Sequence, residues 1–470
     1  MTTLSAAAIT FILCIVLVFA AHTLHLRRRG RWFALDPLNA FWAGVFVCYV
    51  QQPLSFGAIY AAWHEPGTLE KALLWIFAGI VAVVCGYESR FGGKWTRRLP
   101  AMPEKLSNRG LAVTALLLIG AGVAGYLYLI SSAGSLARWA SAPRGNTDWE
   151  SVSGYGSGLV NLLPIGTALL VFEATLHRRP LLHRTAAWGL ALVVWVWGVY
   201  MGTRGGTIGL TLALLAAHFL PRRRNPSLAL LGTIGVGLLL LVSFQARYRG
   251  YFTDFSFHLE DIDWNEAANN VLPTWLGGTK ERDTVDTSPY AEFNCVMAAV
   301  ELVPDKIPYN WGYSHLELFT RPIPRAVWPD KRYPHAEAYT PIYREGHLSD
   351  YVILTTHDTL LMGPSFTMVG HWWTVGGPIA VIVCCFLSGV FFKAIRTVYD
   401  RQPGNEGDLV LYSSLIILGF TELATEPLFW LYSLPLTHGP LFLLLYMCRA
   451  RRRRPSASGG GRVAGSCAGY

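Results

Sequence analysis

Long apolar runs alternate with short polar or charged connections along almost the whole chain. Eleven of these runs approach the roughly 20 residues that a bilayer-crossing helix needs. They are centred on residues 4–26, 37–60, 71–87, 110–131, 157–176, 185–202, 206–220, 227–245, 374–392, 409–425 and 428–448, the seventh and tenth being the weakest. The pattern predicts an all-α polytopic membrane protein with about 11 transmembrane helices, in a range of about 10 to 12. The first run lacks a basic leader and is followed by "RRRGR" rather than a small-residue cleavage site, so it reads as a retained helix and not as a secretory signal.

The alternation stops once, between about residues 245 and 373, where a polar insertion of about 130 residues separates the eighth and ninth runs. Inside it, Ser288 can cap a helix with Pro289 at its first position. Phe293, Val296, Met297, Val300 and Val303 then recur at helical spacing until "PDKIP" ends the run. This predicts a short amphipathic helix lying against the membrane domain or its surface. Residues 1–448 thus read as a single transmembrane domain carrying the 245–373 insertion. Residues 449–470, rich in Arg, Ser and Gly, read as a disordered basic tail.

Charge orients this frame. Alternate connections, beginning with "RRRGR", hold 24 lysines and arginines, whereas the opposite short connections hold only Lys71, Arg138, Arg144 and Arg204. Cations mark the cytoplasmic side. The expectation is therefore a C-terminus inside, an N-terminus outside and an extracytoplasmic insertion. Composition agrees with a membrane protein: of 470 residues, 52% are hydrophobic and 15% charged. The net charge of +9 comes from these inner connections and does not point to nucleic acid. Of the 8 cysteines only Cys295 falls in the insertion, which rules out a disulfide framework there. No motif at metal-ligand spacing occurs, so neither a metal site nor a cofactor is expected.

The candidate chemistry lies on the outer side. Arg204, in "YMGTRGGTIG", sits in a tight glycine-rich connection at the membrane boundary, where amides opening the next helix favour an anion. Arg247 and Arg249, in "FQARYRG", leave the eighth run on the same side; in an extended exit segment, residues two apart point the same way. "TRPIPRAVWPDKR" (320–332) concentrates Arg321, Arg325, Lys331 and Arg332 in an insertion whose 17 acids otherwise outnumber its 10 cations. Pro322, Pro324 and Pro329 stiffen that segment, and arginine forks suit phosphate oxygens. The insertion also offers general bases: His315, Glu317, His335, Glu337, His357, Asp358 and His371, with Glu292 on the expected helix. His335, Glu337, Glu292 and His371 lead this group, and spacing does not choose among them. Trp275, Trp311, Trp328, Trp372 and Trp373 could line a sugar groove or lie at the membrane interface.

"MGTRGG", "FQARYRG", "PYNWGYSHLELFTRPIPRAVWPDK" and "MGPSFTMVGHWWTVGGP" follow one another over roughly residues 195–395. Together they resemble the bacterial oligosaccharide repeat unit polymerases, the Wzy-type polymerases of O-antigen and exopolysaccharide. The most specific element is "IPRxxWPxK", Ile323 to Lys331; Arg332 departs from the family, which usually has proline there. The resemblance implies a GT-C-like glycosyltransferase of the bacterial cytoplasmic membrane. It would move a glycan from undecaprenyl diphosphate to the terminal sugar hydroxyl of another lipid-linked repeat unit. Membrane lipids, a chain-length regulator and a flippase are the implied surroundings. Diphosphate binding falls on Arg204, Arg325 and Lys331, then Arg247, Arg249 and Arg321. The alternatives are an O-antigen ligase or related lipid-diphosphate glycosyltransferase and, from another class, a polysaccharide or lipid transporter or flippase.

Overall fold

A computed structural model describes residues 4–98, 102–135, 158–200, 204–252, 291–320, 331–346 and 365–448 except 402–403 and 425–426, with short pieces at 323, 327–328, 348, 353–354 and 360–362. The basic tail, residues 449–470, lies outside them, as do Ser288, Pro289, Arg321 and Arg325. The described chain is overwhelmingly helical. A single two-stranded antiparallel ladder, β1 (Ile353–Leu354) with β2 (Leu360–Met362), is the exception among the described residues.

The apolar runs become helices whose ends follow local chemistry. α1 (Ala6–Arg28) starts where the Ser5 side chain accepts from the Ala8 amide. Asp36 caps α2 (Pro37–Val45), with Pro37 at the first position. One π-turn, Phe46–Gln51, joins α2 to α3 (Gln52–Trp63). Widening the helix there accommodates Pro53, which has no amide hydrogen to donate and would crowd the turn before it. α4 (Thr68–Glu88) and the short α5 (Phe91–Arg98) precede α6 (Asn108–Ala133), capped by Ser107 and ended by Gly134 in the left-handed region at φ 87°. α7 (Leu162–Leu176), α8 (Leu181–Tyr200), α9 (Arg204–Phe219) and α10 (Leu228–Phe252) follow.

Within the insertion come α11 (Ala291–Leu302), a 3₁₀ turn Tyr313–Leu316, the single turn α12 (Glu317–Thr320) and α13 (Pro334–Glu345). α14 (Thr367–Arg401), α15 (Glu406–Leu415), α16 (Leu418–Ala424) and α17 (Pro427–Met447) complete the fold.

Each expected span falls on helix. Among the described residues six helices are long and apolar enough to cross a membrane: Ala6–Arg28, Thr68–Glu88, Asn108–Ala133, Gly158–Leu176, Leu181–Val199 and Thr367–Arg401. The other apolar runs form helices that are shorter, as Gly206–Phe219 is, interrupted, as α2 to α3 and α15 to α16 are, or proline-containing, as α17 is with Pro435 and Pro440.

The basic connections gather at one end. Arg396 approaches Asp36, Arg401 donates to the Thr96 carbonyl, Lys105 pairs with Glu406, and the Ser107 amide donates to the Cys448 carbonyl. At the far end, Ser5 bonds Glu70 and Lys306 pairs with Glu65. The N-terminus and the insertion therefore share the far end, and the last helix finishes at the basic one.

α4 and α14 form the central contact. A Cβ on Gly86 would collide with the Phe386 carbonyl, and one on Gly389 with the Val83 carbonyl, so the two backbones touch where both residues lack side chains. The same device brings α6 and α7 together, Gly122 lying against the Leu163 backbone and Gly166 against the Ala115 carbonyl.

Two expectations are corrected. The α11 helix does not lie amphipathically on a surface: Phe293 through Val300 are all fully buried, including Asn294 and Cys295. It is inserted into the bundle, and its ends are satisfied by side chains of other helices. Gln52 accepts from the Phe293 amide at 3.0 Å and donates to Glu292 at 3.1 Å. Lys71 and Trp373 donate to the carbonyls of Val300 and Val303 at 3.2 and 2.9 Å, and His64 lies between Glu301 and Asn294. Nor do Arg247 and Arg249 leave the eighth run in an extended segment, because α10 continues to Phe252. Positions two apart on a helix lie about 200° apart around its axis, unlike alternate positions of an extended segment.

Gly389→Val should cost about 3 kcal/mol by wedging α4 from α14, seen as a lower thermal unfolding midpoint in detergent. Gly120→Ala, where an added Cβ meets nothing within 4 Å, should not lower it.

Candidate functional site

The site is built on a break in α14. Gly376 and Gly377 leave helical geometry, Gly377 at φ 62°, just before Pro378. Proline cannot donate to the Thr374 carbonyl, so the last turn before the break carries carbonyls without helical partners. Loop amides replace them: Asn310 donates to the Thr374 carbonyl and Trp311 to the Val375 carbonyl, both at 3.0 Å. The Tyr309 hydroxyl lies close to the position a Cβ on Gly377 would take. The break thus anchors the loop that leads into the 3₁₀ turn and His315.

α13 forms the opposing wall. Pro334 opens it, and the Glu317 carboxylate, nearly buried, accepts from the His335 amide at 3.1 Å, closing off its N-terminus. His335, Ala336, Tyr339, Thr340, Ile342 and Tyr343 recur at helical spacing and are buried. They carry Tyr339 onto α14, where its ring lies 4.6 Å from that of Phe366.

A hydrogen-bonded chain runs through this contact. The Thr374 hydroxyl donates to the His371 carbonyl at 2.8 Å and lies 3.0 Å from the Tyr339 hydroxyl. Tyr339 is 2.6 Å from His371 Nδ1, and His371 Nε2 is 3.3 Å from His315 Nε2. His371 is fully buried and His315 half-buried, its ring stacked on Trp372 at 5.4 Å. Burial, with the nearby charge of His335 second, holds the His315 imidazole below its usual range. The ring is therefore neutral around neutral pH.

Beside the chain, the Tyr313 hydroxyl donates to Glu337 at 2.6 Å, and this bond raises the phenol above its ordinary range while Arg332 opposes the shift. Arg332 thus has a partner in Tyr313. The Lys331 side chain is nearly buried; its ammonium donates to the Ile323 carbonyl at 2.9 Å and lies 5.6 Å from the Tyr333 ring centre, drawing the two ends of the proline-rich segment together. Trp311 is 78% exposed and Trp328 43%, whereas Trp373 is interior.

Of the candidate bases, His335, Glu337 and His371 therefore meet in one region with His315 and Glu317. Glu292 lies outside that cluster, tied to Gln52. Among the proposed diphosphate ligands, Lys331 borders the cluster. Arg204 opens α9 at the far end, and Arg247 and Arg249 occupy the last turns of α10. Arg321, Arg325, Trp275, His357 and Asp358 lie outside the described residues. Sequence reasoning missed Tyr339 and Thr374. Pro334 followed by buried-face spacing at 335, 339 and 342–343 was the available signal for the helix that presents Tyr339. Among the described residues no group of three or more His, Cys, Asp or Glu is disposed to hold a metal ion. No family model, curated protein or solved structure matches the chain.

The depressed His315 makes a pH prediction. Below its ordinary value of 6.5 the unfolded chain takes up a proton that the folded site resists. Its contribution to stability is thus full above about 6.5 and is lost as pH falls toward the lower folded value. The thermal midpoint of the wild type should fall over that interval more than that of His315→Gln.

Proposed function

We propose that the chain polymerises lipid-linked oligosaccharide repeat units. It transfers a growing glycan from undecaprenyl diphosphate to a sugar hydroxyl of the next lipid-linked unit, at the outer face of a bacterial cytoplasmic membrane. One observation carries the reading: the described residues of the four sequence elements of the resemblance belong to the end of the bundle away from the basic connections. α9 starts there with Arg204 and ends beside the basic turn, where Arg223 approaches Gly404. α10 returns and ends there past Arg247 and Arg249. Ile323 and Lys331 are tied together there, and His371 opens α14 there.

The chemistry suits that arrangement. The leaving group is a diphosphate, so negative charge grows on it in the transition state, and arginines can stabilise that charge without a metal. The acceptor is a hydroxyl, and neutral imidazole is available to take its proton. Exposed Trp311 offers a flat apolar face of the kind sugars stack on. Farther along the same helices, an apolar groove of about 620 Å³ between α4 and α14, from Leu74 to Leu387, offers an isoprenoid chain a seat.

Arg325→Ala and Arg204→Ala should each leave the protein in the membrane but abolish long-chain glycan, so that single repeat units accumulate on the carrier. Arg325→Lys should also fail if the guanidinium holds the diphosphate through two hydrogen bonds. A normal ladder of chain lengths from either alanine variant would sink its assignment.

A further inference from the structure

One assignment of protons makes every contact along the Thr374–Tyr339–His371–His315 chain a hydrogen bond. Thr374 has one hydroxyl hydrogen, and it goes to the His371 carbonyl. Its contact with Tyr339 must then be donated by Tyr339. Tyr339 also has one hydrogen, so its contact with His371 must be donated by the imidazole, from Nδ1. Fully buried and with histidine, tyrosine and tryptophan as its ring contacts, His371 carries a single ring proton. Its Nε2 is therefore an acceptor. The hydrogen in the contact with His315 comes from His315 Nε2, and the Nδ1 of neutral His315 is left with a lone pair.

Features of the surroundings bear on proton transfer to that lone pair. His315 is half-buried, against fully buried His371, so it is the member of the pair that borders open space. Ser314 Oγ is 3.5 Å from Nδ1. The Gly312 carbonyl, which accepts from the His315 amide at 2.9 Å, favours the protonated form of the ring. Trp372 holds the ring plane from one side.

We propose that His315 is the general base of the transfer, with Nδ1 as the accepting atom, and that His371, Tyr339 and Thr374 are positioning residues that fix its tautomer. This rests on the glycosyl-transfer reading given above. The acceptor hydroxyl gives its proton to His315 Nδ1 as its oxygen forms the bond to the anomeric carbon. The bond from that carbon to the diphosphate oxygen breaks, and its electron pair leaves with the polyprenyl diphosphate. The imidazolium then releases its proton to water.

Two measurements on the full-length protein separate the base assignment from the reaction it serves. Imidazole nitrogen NMR on ¹⁵N-histidine-labelled protein, which needs no substrate, should show His371 protonated at Nδ1 and His315 at Nε2. Tyr339→Phe should loosen the His371 preference. A His315 ring protonated at Nδ1 in the resting protein overturns the proposal. In a chain-lengthening assay with lipid-linked repeat units, His315→Gln should lower kcat by about 10²- to 10⁴-fold with little change in KM. Added imidazole should restore part of the activity of His315→Ala. Tyr339→Phe should shift the acid limb of the pH–rate profile while the thermal midpoint shows the protein still folded. Wild-type activity together with an unimpaired His315→Gln refutes the base and leaves the transfer reading standing. Wild-type protein that lengthens nothing refutes both.

Discussion

The structure depends on the close approach of α4 and α14. Two backbones can touch this way only where neither carries a side chain, and Gly86 and Gly389 supply that pair. Once the helices are seated, each end of the contact organises a different region. At the basic end Tyr87 of α4 donates to Asp36, which caps α2, while Arg396 of α14 lies against Phe33 and Tyr399. At the far end Trp75 of α4 packs on Trp373 of α14, and Lys71 spans the Trp373 ring and the end of α11. The helix that carries His371 is thus positioned by a contact that lies well away from it.

The same seating explains how a fully buried helix inside the insertion is tolerated. Buried backbone ends cost on the order of 1–3 kcal/mol for each polar group left without a partner. α11 meets that demand with Gln52, Lys71 and Trp373, while His64 holds its Asn294 and Glu301 side chains, all from other elements of the bundle. The insertion is therefore locked to the membrane helices at several points. α14 itself breaks at Gly376–Gly377, and the exposed carbonyls fix the loop carrying His315. A helix break, a loop and α13 meet at one place because each satisfies the others' hydrogen bonds.

Much of the frame was legible in the sequence. Hydrophobic length set the helices, and the cations set which connections share an end, because both signals are local and repeated. Pro304 ended α11 where expected, since proline stops a helix whatever surrounds it. Burial of α11 was not legible: its own residues show apolar spacing, but its partners lie about 230 to 240 positions earlier in Gln52 and His64. Glu292 looked like a base for the same reason. The eighth run looked finished at 245 because its apolar composition ends there, yet its hydrogen-bonded backbone continues to Phe252. The His371–His315 contact spans 56 positions and is invisible to spacing, although both residues stood out as candidates.

Under the proposed transfer, single lipid-linked repeat units would be joined at the far end of the bundle. Deleting the gene and profiling the size of surface and carrier-bound glycan tests this most directly. The account predicts that long-chain glycan disappears while single repeat units persist, on the carrier and on the outer face. Long chains retained on the carrier would contradict it in favour of a ligase. Units trapped on the inner face would contradict it in favour of a flippase, and an unchanged profile would remove glycan assembly from the protein's role.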